Sequence, residues 1–212
     1  MASNYYYIVA GLPELLLDFE NKPFDFFRLK EDIRNMVDGR DRRLIDWLLF
    51  GGDAHRLSTH FYRVVSLLKN DFLRNYYGFD LQLRNVLAAV SARTAGVNPA
   101  PHLIGKNELT DALSHSKASD FGLKDQAEWF SFLLSILEEL NLLEREQKID
   151  RLRWEQANAI SANHYFTMDV ILCFLLKASI LNRWMVLDKV EGQQLFKKLV
   201  KEITDNRNTT QS

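Results

Sequence analysis

Disulfide chemistry is the first thing this chain lacks. It has one cysteine, Cys173, in 212 residues. No intrachain disulfide is possible, which fits a reducing compartment. Charge of one sign is missing too: 27 basic and 28 acidic residues give a formal net charge of -1. That balance argues against a broad nucleic-acid-binding face, which needs a clustered basic excess. No uninterrupted apolar run reaches the roughly 20 residues of a membrane-spanning helix. The longest, Met168 to Leu181, is interrupted by Asp169 and Lys177, so no transmembrane segment is expected. No basic region precedes the apolar part of the N-terminus, MASNYYYIVAGLPELLLDFE, so no secretory signal is expected. These absences point to a cytoplasmic protein, peripheral to the inner membrane through partners at most.

Chemical motifs are equally scarce. There is no GxxxxGK[ST] phosphate loop and no GxGxxG; Gly51 and Gly52 lack the third glycine and the strand before it. There is no HExxH and no CxxC pair. His55 and His60 are five apart, whereas helix faces meet at three or four. Cys173 lies in an apolar helical face, where a thiol is usually inert. Glu138 and Glu139 are neighbours that point in different directions, not a carboxylate pair held across a cleft. No catalytic residue, cofactor-binding residue or metal ligand is therefore expected.

What is present is helical periodicity. Nearly half the residues are apolar, 47%, and they recur at helical spacing. Helices are predicted over Phe26 to Val37, Arg40 to Phe50 and His55 to Asn70, with turns at Asp38-Gly39 and at Gly51 to Asp53. Val97 to Gly105, with Pro99 and Pro101, reads as a linker, and Ser114 to Asp120 is small and polar. Between them lies one short docked helix. Asp125 to Asn163 contains neither proline nor glycine and carries the stripe Trp129, Phe132, Leu133, Ile136, Leu137, Leu140 and Leu143. It forms either one long helix or two that meet near Asn141. Thr167 suits the N-cap of a further helix, with Asp169 in its first turn. Val186 to Ile203 is expected as the last helix. The expectation is an all-α, multi-helix, bundle-like domain over residues 1–204, with a possible subdivision near 97–120 and a disordered tail at 205–212. Tyr5 to Val9 favours an extended strand by composition, with a buried first helix as its competitor.

The most informative stretch is Asn70 to Gly96, NDFLRNYYGFDLQLRNVLAAVSARTAG. Asn75 to Phe79 reads as a turn, Asp80 as an N-cap, and Gly96 as a helix stop. Leu83, Val86, Leu87 and Val90 form an apolar face; Gln82, Asn85 and Arg93 lie on another, with Arg84 between. Asparagine is a mildly poor residue in mid-helix, so Asn85 requires an explanation. The Arg84, Asn85 and Arg93 side is either an internal polar joint or a partner-binding surface. Arg40, Arg42 and Arg43 are further partner-binding candidates, because cations are slightly unfavourable at a helix start.

Three segments carry a family resemblance: YYYIVAGLPEL at Tyr5 to Leu15, FDLQLRNVLAAVSAR at Phe79 to Arg93, and FTMDVILCFLLKASILNRW at Phe166 to Trp184 followed by Gly192. Together they resemble a family of short bacterial proteins of unknown function that accompany V-type ATPase subunits. More distantly the chain is similar to the C-type linker protein of archaeal and bacterial V/A-type ATPases, whose eukaryotic counterpart is the d-type one. Asp80 and Asn85 resemble, in loose register, the polar positions of the Asp-apolar-x-x-Asn helices in that C-type protein; here they stand five residues apart. The C-type proteins are longer and built from three related helical parts. The resemblance implies an all-helical, non-catalytic linker between the central rotor stalk and the membrane ring. Its partners would be stalk or ring subunits of a proton- or sodium-transporting machine. Two alternatives remain: a nucleic-acid-binding helical protein using Arg40 to Arg43 and Arg74 to Arg93, and an enzyme whose site assembles from distant residues such as His102 and His115.

Overall fold

A computed structural model describes residues 5–17, 24–123 and 128–187. Among them the chain is all-α, with no strand. Its α-helices are α1 (Tyr6–Ala10), α2 (Phe26–Met36), α3 (Gly39–Gly51), α4 (Thr59–Ser66), α5 (Asp71–Thr94), α6 (Glu108–His115), α7 (Glu128–Leu137), α8 (Leu142–Ser161) and α9 (Met168–Leu187). Single 3-10 turns at Ala54–Arg56 and Ala100–His102 fill two of the connections. The expected helix Val186 to Ile203 lies, beyond Leu187, outside the described residues, as does the tail at 205–212.

Helix α5 organises the rest. It starts where the Asn70 side-chain oxygen accepts from the Leu73 N–H at 2.9 Å, well before Asp80. The expected turn at Asn75 to Phe79 is therefore helix interior, and Asp80 is no N-cap. Burial decides the outcome: Phe72, Leu73, Tyr76, Tyr77 and Phe79 are all removed from solvent. Each such side chain contributes about 1.5–3 kcal/mol, which outweighs the roughly 1 kcal/mol that Gly78 costs in a helix. The stop is where it was expected. Gly96 takes φ +68°, the Val97 N–H reaches back to the Ala92 carbonyl at 2.9 Å and the Gly96 N–H to Arg93 at 3.0 Å. That is a Schellman end, which needs a residue free to be left-handed.

The N-terminal half of α5 packs in the largest core with α3, α4 and the first half of α9, through residues such as Ile45, Phe61, Phe72, Ile171, Leu172 and Leu175. Its C-terminal half packs in a second core with α6, α7 and α8, through Leu83, Val86, Leu113, Leu133, Ile149 and Leu152. A third group, Trp154, Ile180, Leu181 and Trp184, joins α8 to the end of α9. Met168–Leu187 is long and apolar enough to cross a membrane by length and composition, and half of its most apolar window is buried against the rest of the fold.

Two open alternatives are decided and one expected boundary moves. Tyr5 to Val9 is no strand: the Val9 N–H bonds to the Tyr5 carbonyl at 2.9 Å, and no neighbouring strand among the described residues offers a ladder. Tyr5 itself anchors this end, donating from its hydroxyl to Asp41 at 2.6 Å, while Tyr6 and Tyr7 face outward. The expected helix over His55 to Asn70 contracts to α4, because the Ser58 hydroxyl caps it by accepting from the Phe61 N–H at 3.3 Å. The stretch 125–163 is two helices that meet at Asn141, whose side-chain oxygen accepts from the Leu143 and Glu144 N–H groups at 3.0 and 3.4 Å. A capped start supplies partners for amides that an unbroken helix would bond internally.

Candidate functional site

Where α4, α5, α8 and α9 meet, charge is buried between the cores. On α5, Asp80 Oδ2 accepts the Tyr62 hydroxyl of α4 at 2.8 Å and Arg84 Nε at 2.7 Å. Its Oδ1 lies 3.9 Å from Arg153 Nε of α8. One turn back from Arg153, Asp150 Oδ1 accepts from Arg153 Nη1 at 2.9 Å. The Asp150 Oδ2 accepts the Trp184 indole N–H of α9 at 2.8 Å and Arg183 Nη2. Arg183 also lies 3.7 Å from Glu146. Hydrogen bonds, and the one longer ion contact between Asp80 and Arg153, thus tie four helices together. Burial alone would lower the Arg153 pKa, but Asp150, Tyr76 and Asp80 around it turn the shift upward, so its charge is held. Burial, and then the Asp80 charge, push the Tyr62 and Tyr76 hydroxyls above the usual range. Tyr77 is pushed up by burial as well; its hydroxyl donates to the Leu48 carbonyl at 2.7 Å. In this low-dielectric setting an unmatched carboxylate or guanidinium would be costly. The arrangement instead matches them pair by pair, with geometry that fixes helices relative to one another.

Two further joints fasten the C-terminal half of α5. Asn85 is 1% exposed. Its amide donates to the Ile104 carbonyl at 2.9 Å and its oxygen accepts the Ile104 N–H at 2.8 Å. This mimics a strand pair and pins the chain after the second 3-10 turn. Arg93 donates to the carbonyls of Ala118 at 2.6 Å and Ser116 at 2.9 Å, and lies 3.6 Å from the centre of the Phe121 ring. Phe121 holds φ 55°, a conformation that costs an L-residue about 1–2 kcal/mol. Its burial and the stacked guanidinium hold it there.

The candidate residues therefore separate. Asn85 and Arg93 form internal joints, Arg84 pairs with Asp80 within α5 and stays partly exposed, and Asn85 is too deeply buried to touch a partner in this fold. Arg42 Nε donates to the Arg34 carbonyl at 3.0 Å. Arg43 is exposed, and Arg40 is exposed on the wall of a cleft of about 810 Å³. The starts of α3, α5 and α9 border that cleft, through Asp38 and Asp41, Lys69 and Asn70, and Thr167 and Asp169. Asp169 accepts the Asn70 amide and lies 3.3 Å from His164 Nδ1. Thr167 precedes α9 as expected, yet its hydroxyl is buried with no hydrogen-bond partner. His102 and His115 are both exposed, and the His115 ring meets the Asp111 carbonyl at 3.0 Å. Among the described residues no group of three or more His, Cys, Asp or Glu is placed to hold a metal. Cys173 is buried, its thiol against the Ala157 carbonyl at 3.5 Å, and burial raises its pKa.

Sequence reasoning missed Asp150, Arg153, Arg183 and Trp184. A signal was present: Asp150, Trp154 and Ala157 are spaced at i, i+4 and i+7, and all three are buried. A carboxylate in line with a tryptophan and an alanine marks an inward face.

A family model described as a protein of unknown function (DUF2764) matches residues 52–207, from the end of α3 onward. No curated protein and no solved structure matches the chain.

Proposed function

This chain belongs to the DUF2764 family, and from that premise we propose that it is a non-catalytic helical subunit or accessory linker of a bacterial V-type (V/A-type) ATPase. In this reading it is similar to the C-type linker protein and couples or assembles the soluble and membrane parts of a proton- or sodium-transporting machine. One observation carries the reading: the polar positions on which the likeness to the C-type protein rests are the ones that lock the helices. Asp80 ties α5 to α4 and sits against Arg153 of α8, and Asn85 pins α5 to the chain at Ile104. A part that transmits torque must resist shear between its helices. Directional hydrogen bonds, charge-assisted at Asp80, add geometric specificity to the packed apolar contacts. The partners in this reading are protein subunits of the stalk or the membrane ring, reached from the cytoplasmic side. A nucleic-acid role has less support, because Arg74 and Arg84 pair with Asp71 and Asp80 and Arg93 is held by backbone carbonyls. Among the described residues that leaves Arg40 and Arg43 as its exposed basic candidates outside such pairs.

Affinity purification of the V-type ATPase from native membranes tests this. The protein is expected in the purified assembly in fixed proportion to the stalk subunits. Its absence from the assembly, with the complex formed normally in a deletion strain, would remove the reading.

A further inference from the structure

The α7–α8 hairpin has a tip that its own side chains hold in one shape. The Glu139 N–H reaches the Ile136 carbonyl at 3.1 Å as α7 ends. Glu139 Oε1 then accepts the Asn141 N–H at 3.3 Å, and its Oε2 pairs with Lys148 of α8 at 2.6 Å. Asn141 caps α8 and donates to Glu144 Oε1 at 3.0 Å. Below the tip, Leu133, Ile136, Ile149 and Leu152 sit in the second core. The base is anchored and the turn is braced.

That braced turn presents apolar side chains to water. Leu140 is 94% exposed, Leu142 63% and Leu143 54%. Scattered exposed leucines are ordinary, but these three fall within four residues of one braced turn, which costs little ordering to bind. The surroundings are acidic. Glu139 is matched by Lys148 and Glu146 by Arg183, which leaves the exposed Glu138 and Glu144 against Arg145, a modest acidic excess. An anionic membrane surface would repel that rim, since it recruits basic residues. A second copy of the chain, meeting tip to tip, would set the same glutamates against each other. A helix with an apolar stripe flanked by lysine or arginine satisfies both the leucines and the rim.

We propose that the tip of the α7–α8 hairpin, Leu140, Leu142 and Leu143 within their acidic rim, is a docking surface for an amphipathic, basic-rimmed helix of a partner protein. The surface stands independently of which assembly the protein serves.

The test uses the full chain and two synthetic helical peptides with one leucine face, rimmed by lysine in one and by glutamate in the other. Fluorescence anisotropy is expected to show the lysine-rimmed peptide binding at least about tenfold more tightly, with the preference shrinking as salt rises. Hydrogen exchange is expected to slow at residues 138–146. The variant L140S/L142S/L143S is expected to weaken binding about tenfold or more with its thermal unfolding unchanged. A second variant, E138K, changes an exposed rim residue outside the brace and is expected to shrink the preference for the lysine-rimmed peptide. Equal binding of both peptides, or undiminished binding by the leucine variant, would overturn the proposal. So would tighter binding to vesicles of phosphatidylserine and phosphatidylcholine than to the lysine-rimmed peptide.

Discussion

Asp150 is the residue on which most of the buried polar network depends. It receives Arg153 from its own helix, and Arg183 and Trp184 from α9. Replacing it with alanine leaves the Arg153 guanidinium buried with only the longer contact to Asp80. Breaking a buried pair from one side costs about 3–5 kcal/mol. Asp150→Ala is therefore expected to lower the urea unfolding free energy by that amount, and a loss under about 1 kcal/mol, the range of a surface pair, would show that the network is not load-sharing. Asn85 was legible in the sequence as an anomaly, because a mid-helix asparagine needs a reason, and its double bond to Ile104 is the reason. Asp150 was not legible. It lies in the charge-rich run Glu144 to Arg153, where one more carboxylate reads as solvated, and only its register with Trp154 and Ala157 sets it apart.

At the scale of elements, α5 shows why helix existence was readable and helix boundaries were not. Asn70 and Asp80 are both able to cap a helix, and local chemistry does not choose between them. The choice comes from the aromatic residues between them, which find a core only if the helix starts at Asn70. The same logic split the stretch 125–163 at Asn141, one of the two alternatives its pattern allowed. Two glycines give opposite readouts of this packing. Gly78 lies in the middle of α5 with nothing within 4 Å of where a methyl group would stand. Gly51 ends α3, and a methyl group there would stand 2.2 Å from the Tyr77 hydroxyl oxygen. Gly78→Ala is expected to stabilise by about 0.4–1 kcal/mol. Gly51→Ala is expected to destabilise by about 1–3 kcal/mol, because Tyr77 is buried and bonded to Leu48. Chemical denaturation of both variants checks the pair, and a loss of stability in Gly78→Ala would place a neighbour where the fold has none.

For the whole molecule, the buried tyrosines set the alkaline limit. Tyr62, Tyr76 and Tyr77 all have hydroxyl pKa values raised by burial above the ordinary value. A group raised in the folded state contributes stability fully below its unfolded pKa, about 10 for tyrosine, and loses it as pH climbs beyond. The urea midpoint is expected to slip above about pH 8.5, where the unfolded Cys173 thiol ionises, and to fall more steeply above about pH 10 as the unfolded tyrosines ionise. Tyr62→Phe is expected to make that fall shallower by up to about one proton per molecule. Native-state tyrosinate absorbance that titrates fully near pH 10 would contradict this. The all-α class was visible in the periodicity of nearly every segment. The three-core arrangement and the ionic joint were not, since both depend on which faces meet in space. The same joint underlies the proposal of a stiff linker in a rotary ATPase. The most direct measurement is ions transported per ATP hydrolysed in native membrane vesicles from a deletion strain, with and without the chain restored. A stiff linker predicts a lower ratio on deletion and recovery with the wild-type chain. A ratio unchanged by deletion would contradict it.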